Sequence, residues 1–187
     1  MMRIITGRAR GIKLNTLEGA NTRPTSERAK EAIFSMIQFD IEGREVLDLF
    51  AGSGQMGLEA VSRGAASATF IDKSKDAAKI ITQNVEKTKL SGFCRIFNSD
   101  VQDFIRITRG KKQYDVVFID PPYALRAVPP TLKALLDGNM LKPTSIIVCE
   151  SEEADVFEND AALAERFEII KKAKYGMAHI TIVKPII

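Results

Sequence analysis

The stretch Val46-Leu47-Asp48-Leu49-Phe50-Ala51-Gly52-Ser53-Gly54-Gln55-Met56-Gly57 decides how the chain is read. Strand-type residues run from Val46 to Phe50 and stop at Gly52 and Gly54, after which Leu58, Ala60 and Val61 take up helical spacing. A strand that turns through glycines into a helix is a nucleotide-binding element. Gly52 and Gly54 can take positive φ and leave bare main chain beside a ligand, and Gly57 lets the helix lie close on the strand. Asp48 adds a carboxylate near the strand's end.

Taken alone, this stretch fits two ligands. Gly52, Gly54 and Gly57 match the dinucleotide pattern G-x-G-x-x-G, and Asp72 follows at about the 20-residue interval of a ribose-binding acid. A dinucleotide, however, sets its pyrophosphate on the helix N-terminus. S-adenosylmethionine carries a sulfonium and an amino-acid end instead, and an acid within the strand suits it better. A second stretch, Asp120-Pro121-Pro122-Tyr123, argues against a dehydrogenase, which has no use for it.

Along the rest of the chain, the spacing predicts strands over Val46–Phe50, Ala68–Ile71, Phe93–Asn98, Tyr114–Ile119 and Ile146–Cys149. Helices are expected over Gln55–Arg63, Lys75–Lys89, from Asp100 onward, Val128–Leu136 and Ala161–Glu165. Nearly continuous apolar strands alternating with helices indicate an α/β layer structure with a parallel sheet covered on both faces. Phe167–Lys171 and Met177–Val183 should close the chain as an edge hairpin. Upstream, Arg3–Thr6 and Ile12–Leu14 flank the turn Gly7-Arg8-Ala9-Arg10-Gly11, a basic hairpin. A helix then opens at Arg23-Pro24-Thr25-Ser26, capped by Thr25 or Ser26, with Ala29, Ala32, Ile33, Met36 and Ile37 as its buried stripe.

At 187 residues, with 45% hydrophobic and 27% charged residues, the chain suits one domain burying about 70% of its unfolded surface. The expected division is a basic, substrate-side hairpin and helix over 1–44 and a catalytic core over 45–187. No apolar run approaches the roughly 18 residues of a membrane span. The start lacks a signal-peptide core, so a cytoplasmic protein is expected. Cys94 and Cys149 have no Cys or His neighbours and read as reduced core thiols; no metal site is expected, and His179 reads as a surface strand position.

The net charge of +3 is unevenly spread. Arg3, Arg8, Arg10, Lys13, Arg23, Arg28 and Lys30 oppose only Glu18 and Glu27 in the first thirty residues. That end is a candidate nucleic-acid footprint, with Arg3, Arg8, Arg10, Arg23 and Arg28 as the candidate contacts; a solvated charged leader is the alternative. The acidic run from Glu150 through Glu152, Glu153, Asp155 and Glu158 to Asp160 reads as a solvated loop and helix start, for which a place facing away from such a partner would suit.

Ligands of open α/β sheets bind outside the carboxyl ends of the strands. The glycine turn, Asp72, Asp100 and Asp120–Tyr123 all fall at such ends. Asp72 is placed for the ribose hydroxyls, and Asp100 with the Val101 amide for an adenine amine, though either acid could equally be a helix cap. In Asp-Pro-Pro-Tyr the prolines stiffen the backbone, so that the Asp120 carboxylate and the Pro121 carbonyl can accept both hydrogens of an exocyclic amine. Such acceptance aims the nitrogen lone pair at a methyl donor. Tyr123 can stack on the base, a contact worth about 1–3 kcal/mol.

The combination of Asp48-Leu-Phe-Ala-Gly-Ser-Gly54 with Asp120-Pro-Pro-Tyr123 resembles the amino-methyltransferases that use S-adenosylmethionine. More narrowly, Arg3–Gly7, Arg23-Pro24-Thr25 with Arg28 and Glu31, Gly57–Ala60, Ser62–Ala65 and Tyr175-Gly176 resemble the RsmD family, which modifies the exocyclic amine of one guanine in 16S ribosomal RNA. The resemblance covers nearly the whole chain. It implies a Rossmann-like seven-stranded, mostly parallel sheet with an antiparallel last strand, preceded by an N-terminal β-hairpin that helps to hold RNA.

On that resemblance the cofactor contacts are Asp48, Phe50, Gly52, Ser53, Gly54, Asp72, Lys73, Asp100, Val101 and Asp120. The amine site is Asp120, Pro121, Pro122 and Tyr123. The partner is 16S ribosomal RNA, within the small subunit or its precursor, and the enzyme is expected as a monomer without metal. The family often has Phe at the last tetrad position; Tyr123 keeps the stacking face. The Arg8-Ala9-Arg10 turn departs from the family's commoner Gly-Gly version with a nearby aromatic. Two other readings stand beside this one: an adenine-amine DNA methyltransferase, and an RNA-binding assembly factor that merely keeps the pocket.

Overall fold

From Glu45 onward, strands and helices alternate as far as the final hairpin. The computed structural model describes residues 2–17, 27–122 and 125–187. Its strands are β1 (Glu45–Leu49), β2 (Ser67–Asp72), β3 (Cys94–Asn98), β4 (Tyr114–Ile119), β5 (Leu141–Ser151), β6 (Phe167–Tyr175) and β7 (Ala178–Pro185). They form one seven-stranded sheet in the order β3-β2-β1-β4-β5-β7-β6. The first five are parallel, and β7 runs antiparallel between β5 and β6. The expected α/β architecture is therefore present, with the order reversing between β1 and β4. That reversal opens the crevice where such sheets take ligands.

Helices α1 (Glu27–Met36), α2 (Gln55–Ser62) and α3 (Lys75–Lys87) cover one face. There Ile33, Phe34, Leu58, Val61, Ile81 and Val85 pack on Val46, Phe70, Val116, Phe118 and Val148. Helices α4 (Val101–Thr108), α5 (Val128–Asp137) and α6 (Ala161–Ala164) cover the other. Phe104, Ile105, Leu132, Leu135 and Leu163 meet Leu47, Ile71, Val117, Ile119, Ile147 and Cys149 there. The period-2 alternation of each strand thus feeds two cores.

Several boundaries differ from expectation. β5 begins at Leu141, ahead of Pro143, and β6 continues to Tyr175, so the final turn falls at Gly176, whose φ is +63°. In α1, Ala29 and Ile33 are buried as expected, as is Ile37 just past its end, whereas Ala32 and Met36 are only partly covered. Phe34 and Lys30 are buried as well. The expected cap, Thr25 or Ser26, lies outside the described residues. Cys149 is buried, but Cys94 is only half-buried because β3 is an edge strand; desolvation still pushes the Cys94 thiol up to about 12. His179 is partly buried and pairs across β7 with Ser151 and Lys174.

The amino-terminal hairpin is narrower than expected. It has one antiparallel bridge, Arg3 to Lys13, flanked by hydrogen bonds from Ile4 N to Ile12 O (3.0 Å) and from Leu14 N to Met2 O (3.0 Å). It lies on α2, which is buried on every side, between the sheet and this segment. Arg8 N donates to Ser62 O at 2.9 Å. Ser62 Oγ donates to Thr6 O (2.6 Å) and accepts from Ala9 N (3.0 Å). A side chain on Gly7, at φ +87°, would begin 1.8 Å from Ser62 O, so this turn requires glycine.

Candidate functional site

The turn after β1 has the conformation its sequence demands. Phe50, Gly52 and Gly54 take φ of 61°, 56° and 76°, and Gly54 caps α2 in the left-handed conformation. Phe50 bears the strain of a non-glycine residue there. Beyond Gly52 the space is open, with nothing within 4 Å of where a side chain would start. Gly57 is the reverse case: a Cβ there would fall 2.3 Å from the Phe70 ring, so α2 lies directly on β2.

Asp48, expected as a cofactor contact, sits beneath the turn, 3% exposed, with Oδ2 accepting from Gly57 N at 2.9 Å. Burial raises its pKa to about 7, with the Asp72 charge adding to the shift against the Gly57 hydrogen bond. Asp72, at the end of β2, is no helix cap. Its Oδ2 accepts from Gly52 N (2.9 Å) and its Oδ1 from Ser74 N (2.8 Å), joining the glycine turn to α3, whose cap is Ser74. It is partly exposed, and each oxygen keeps acceptor capacity beyond its bond to Gly52 N or Ser74 N. Asp100 does cap α4, accepting from Gln102 N at 2.8 Å. Lys73 is exposed, while Ser53 and Val101 are largely buried.

Asp120 and Pro121 leave β4 beside that turn, because Leu49 of β1 is the register partner of Ile119. Asp120 is partly exposed, Pro121 buried and Pro122 exposed, with the Pro122 carbonyl accepting from Leu125 N at 2.9 Å. Tyr123 lies outside the described residues. Part of the acidic run borders this site: Glu150, Glu152, Glu153 and Asp155 line a cavity of about 310 Å³ with Pro121, Arg126 and Val128. Parallel pairing of β4 with β5 forces this, since both strands end at the same edge. Glu150 is 6% exposed, so it is not the solvated residue expected.

The basic end is rearranged by its contacts. Lys30 is fully buried, with Nζ 3.5 Å from Glu59 Oε2 and 2.6 Å from Arg3 O. Arg3 pairs with Glu27 at 3.1 Å. Arg8 stacks over the Phe93 ring, 4.8 Å from its centroid. Phe93 precedes β3, so Arg8 stands at the amino-terminal edge of the sheet, opposite the crevice. Arg10 is exposed in the same turn, and Arg28 is exposed on the first turn of α1. Since α1 leads through residues 37–44 into the start of β1, its first turn points toward the crevice edge. Arg23 lies outside the described residues.

Two residues that place the site were not singled out from the sequence. Glu59, fully buried, accepts from Ile5 N (2.8 Å), Thr6 N (3.0 Å) and Arg63 Nε (2.8 Å). Asn84, fully buried, donates to Ser53 O (2.9 Å) and Asn15 O (3.0 Å), tying the amino-terminal segment to the glycine turn. Its signal was present: Asn84 stands with Ala77, Ile81 and Val85 at core spacing on α3. Among the described residues no group of His, Cys, Asp and Glu could hold a metal, and no helix is long and apolar enough to cross a membrane.

A parallel sheet reversing at a glycine turn, with an antiparallel β7 and Asp-Pro-Pro at the neighbouring strand end, defines an S-adenosylmethionine-dependent methyltransferase. The family described as "Conserved hypothetical protein 95" matches residues 2–184. The ribosomal RNA small subunit methyltransferase D of Haemophilus influenzae is 37% identical, over 94% of this chain and 90% of that protein. The Escherichia coli protein of that name is 35% identical, over 81% and 75%. The chain belongs to this family, the RsmD family.

Solved structures agree. A chain from Escherichia coli, 31% identical, matches with a TM-score of 0.85 over 98% of this chain and 97% of that one. A more distant one, in complex with S-adenosylhomocysteine and 17% identical, matches at 0.68 over 82% and 48%, a likeness of fold alone.

Proposed function

We propose that the protein, acting as a monomer, transfers a methyl group to the exocyclic 2-amino group of a guanine in 16S ribosomal RNA, free or within the small subunit or its precursor. The observation that carries this reading is the Leu49–Ile119 register, which sets the Gly52–Gly54 turn beside Asp120 and Pro121. The naming of the Haemophilus influenzae and Escherichia coli relatives for small-subunit ribosomal RNA supports the choice of substrate.

The residues fit the cofactor: the open space beyond Gly52 admits a ligand against main chain, and the Asp72 lone pairs suit ribose hydroxyls. When bound, S-adenosylmethionine supplies a methyl group made electrophilic by its sulfonium. Asp48 holds the turn from beneath, and Asp100 and Val101 border the adenine end. The Asp120 carboxylate and the Pro121 carbonyl accept the two amine hydrogens, and Tyr123 stacks on the base. Catalysis then rests on positioning the nitrogen lone pair. Because the base edge must reach Asp120, the guanine is unstacked from its neighbours when it reacts.

Tritium transfer from labelled cofactor to small subunits or their RNA tests the reading, with the methylated nucleotide mapped afterwards. Label in the guanine 2-amino group, lost in Asp120→Ala, is the expected result. Transfer only to adenine of duplex DNA, or RNA binding without transfer, overturns it.

A further inference from the structure

The end of β5 brings a second carboxylate to the amine site. Ile119 pairs with Cys149, and Asp120 and Glu150 are the next residues along the two chains, Asp120 just past the end of β4 and Glu150 still within β5. Side chains alternate along a strand, so Glu150 shares the face of Val148, in the core beneath α1. Both carboxylate residues line one small cavity with Ile33, Met56, Phe118 and Val148, and Glu150 also lines the 310 Å³ cavity with Pro121. At 6% exposure, Glu150 is less hydrated than an ordinary surface acid.

Activating an exocyclic amine needs two acceptors, and Asp120 with the Pro121 carbonyl supplies them, which leaves a different task for Glu150. We infer that Glu150 accepts the N1–H of the target guanine, the donor adjacent to the 2-amino group, and thereby selects guanine over other bases that carry an amine. The inference rests on the guanine-amine reading above. Guanine presents N1–H and N2–H side by side, whereas adenine N1 and cytosine N3 are acceptors. In its ionised form, which the inference requires, the Glu150 carboxylate only accepts. Facing a ring nitrogen that also only accepts, a buried Glu150 loses solvation without gaining a hydrogen bond, the condition under which a site rejects an analogue strongly.

The test places either guanine or 2-aminopurine at the mapped target nucleotide. 2-Aminopurine keeps the 2-amino group but turns N1 into an acceptor. The wild-type enzyme should favour guanine by about 100-fold in kcat/KM. Glu150→Gln, whose amide can donate to that N1, should reduce the preference at least about tenfold and raise transfer to 2-aminopurine, while Glu150→Asp, still an acceptor, keeps it. Cofactor affinity in each variant reports that the fold is intact. An unchanged preference in Glu150→Gln, or equal losses on both substrates, overturns the inference while leaving the guanine reading in place. Absence of wild-type transfer to any guanine overturns both.

Discussion

Lys30 Nζ lies 3.5 Å from Glu59 Oε2, and neither side chain has any exposed surface. The lysine comes from α1 and the glutamate from α2, so the pair fastens the amino-terminal helix to the helix that follows the glycine turn. Glu59 also takes the amides of Ile5 and Thr6 and the Arg63 guanidinium, while Lys30 holds the Arg3 carbonyl. Burial lowers the Lys30 pKa and the Glu59 charge raises it, with burial the larger influence. The ion pair therefore offsets a desolvation cost and orders the segment that packs beside the crevice.

Glu59→Ala should accordingly cost about 3–5 kcal/mol, because it strands a buried ammonium. Urea unfolding measures this, and limited proteolysis should show earlier cleavage within residues 2–17. The double substitution Glu59→Leu with Lys30→Met should be clearly more stable than Glu59→Ala, since neither charge is then left buried. A cost below about 1 kcal/mol for Glu59→Ala would show that the pair carries little.

Asp48 gives a pH dependence whose sign can be worked out. Its folded pKa stands at about 7 against an ordinary 3.8. Below about pH 4 both folded and unfolded chains hold the proton. Between about 4 and 7 the unfolded chain loses it while the folded chain keeps it, so this carboxyl's contribution to stability falls as pH rises and is fully lost above about 7, a change on the order of 4 kcal/mol. Asp48→Asn retains an acceptor for the Gly57 amide without titrating. Relative to wild type, it should gain stability between pH 5 and pH 8 in urea unfolding; a constant difference would mean that Asp48 is ionised throughout.

The arginines should not be equivalent toward RNA. Arg28, at the crevice end of α1, is expected to meet phosphate, and Arg28→Glu should weaken binding and reduce the salt slope by about 1. Arg8, held over Phe93 at the opposite edge, should have the smaller effect when reversed to Glu. Filter binding across a salt series checks both. Equal slopes for the two variants would place the RNA footprint elsewhere.

Local pattern made the frame legible. The apolar run into Gly52 and Gly54, the core-face residues Leu58, Ala60 and Val61, and the apolar β4 before Asp-Pro-Pro each report conformation or burial within a few residues, which is the range over which periodicity and glycine freedom act. The partners of Glu59, Asn84 and Ser62 were not legible. Asn15 is 69 residues from Asn84, and Ile5 is 54 residues from Glu59. Nothing in the neighbouring sequence encodes such a distance. Within the acidic run, Glu152, Asp155 and Glu158 are exposed and Asp160 caps α6, as a solvated loop and helix start should be, but Glu150 is buried for the same cause: charge density predicts solvation, while strand pairing decides where the end of β5 lies.

Residue type and short spacing were enough for the succession of strands and helices, the glycine turn and the chemistry available at Asp120 and Pro121. It took the packed fold to place Asp48 beneath the turn, to make Lys30 an internal counter-charge rather than part of a nucleic-acid surface, and to bring Glu150 into one cavity with Asp120. Burial and cross-strand pairing arise from contacts between distant segments, and they set what a charged group can do.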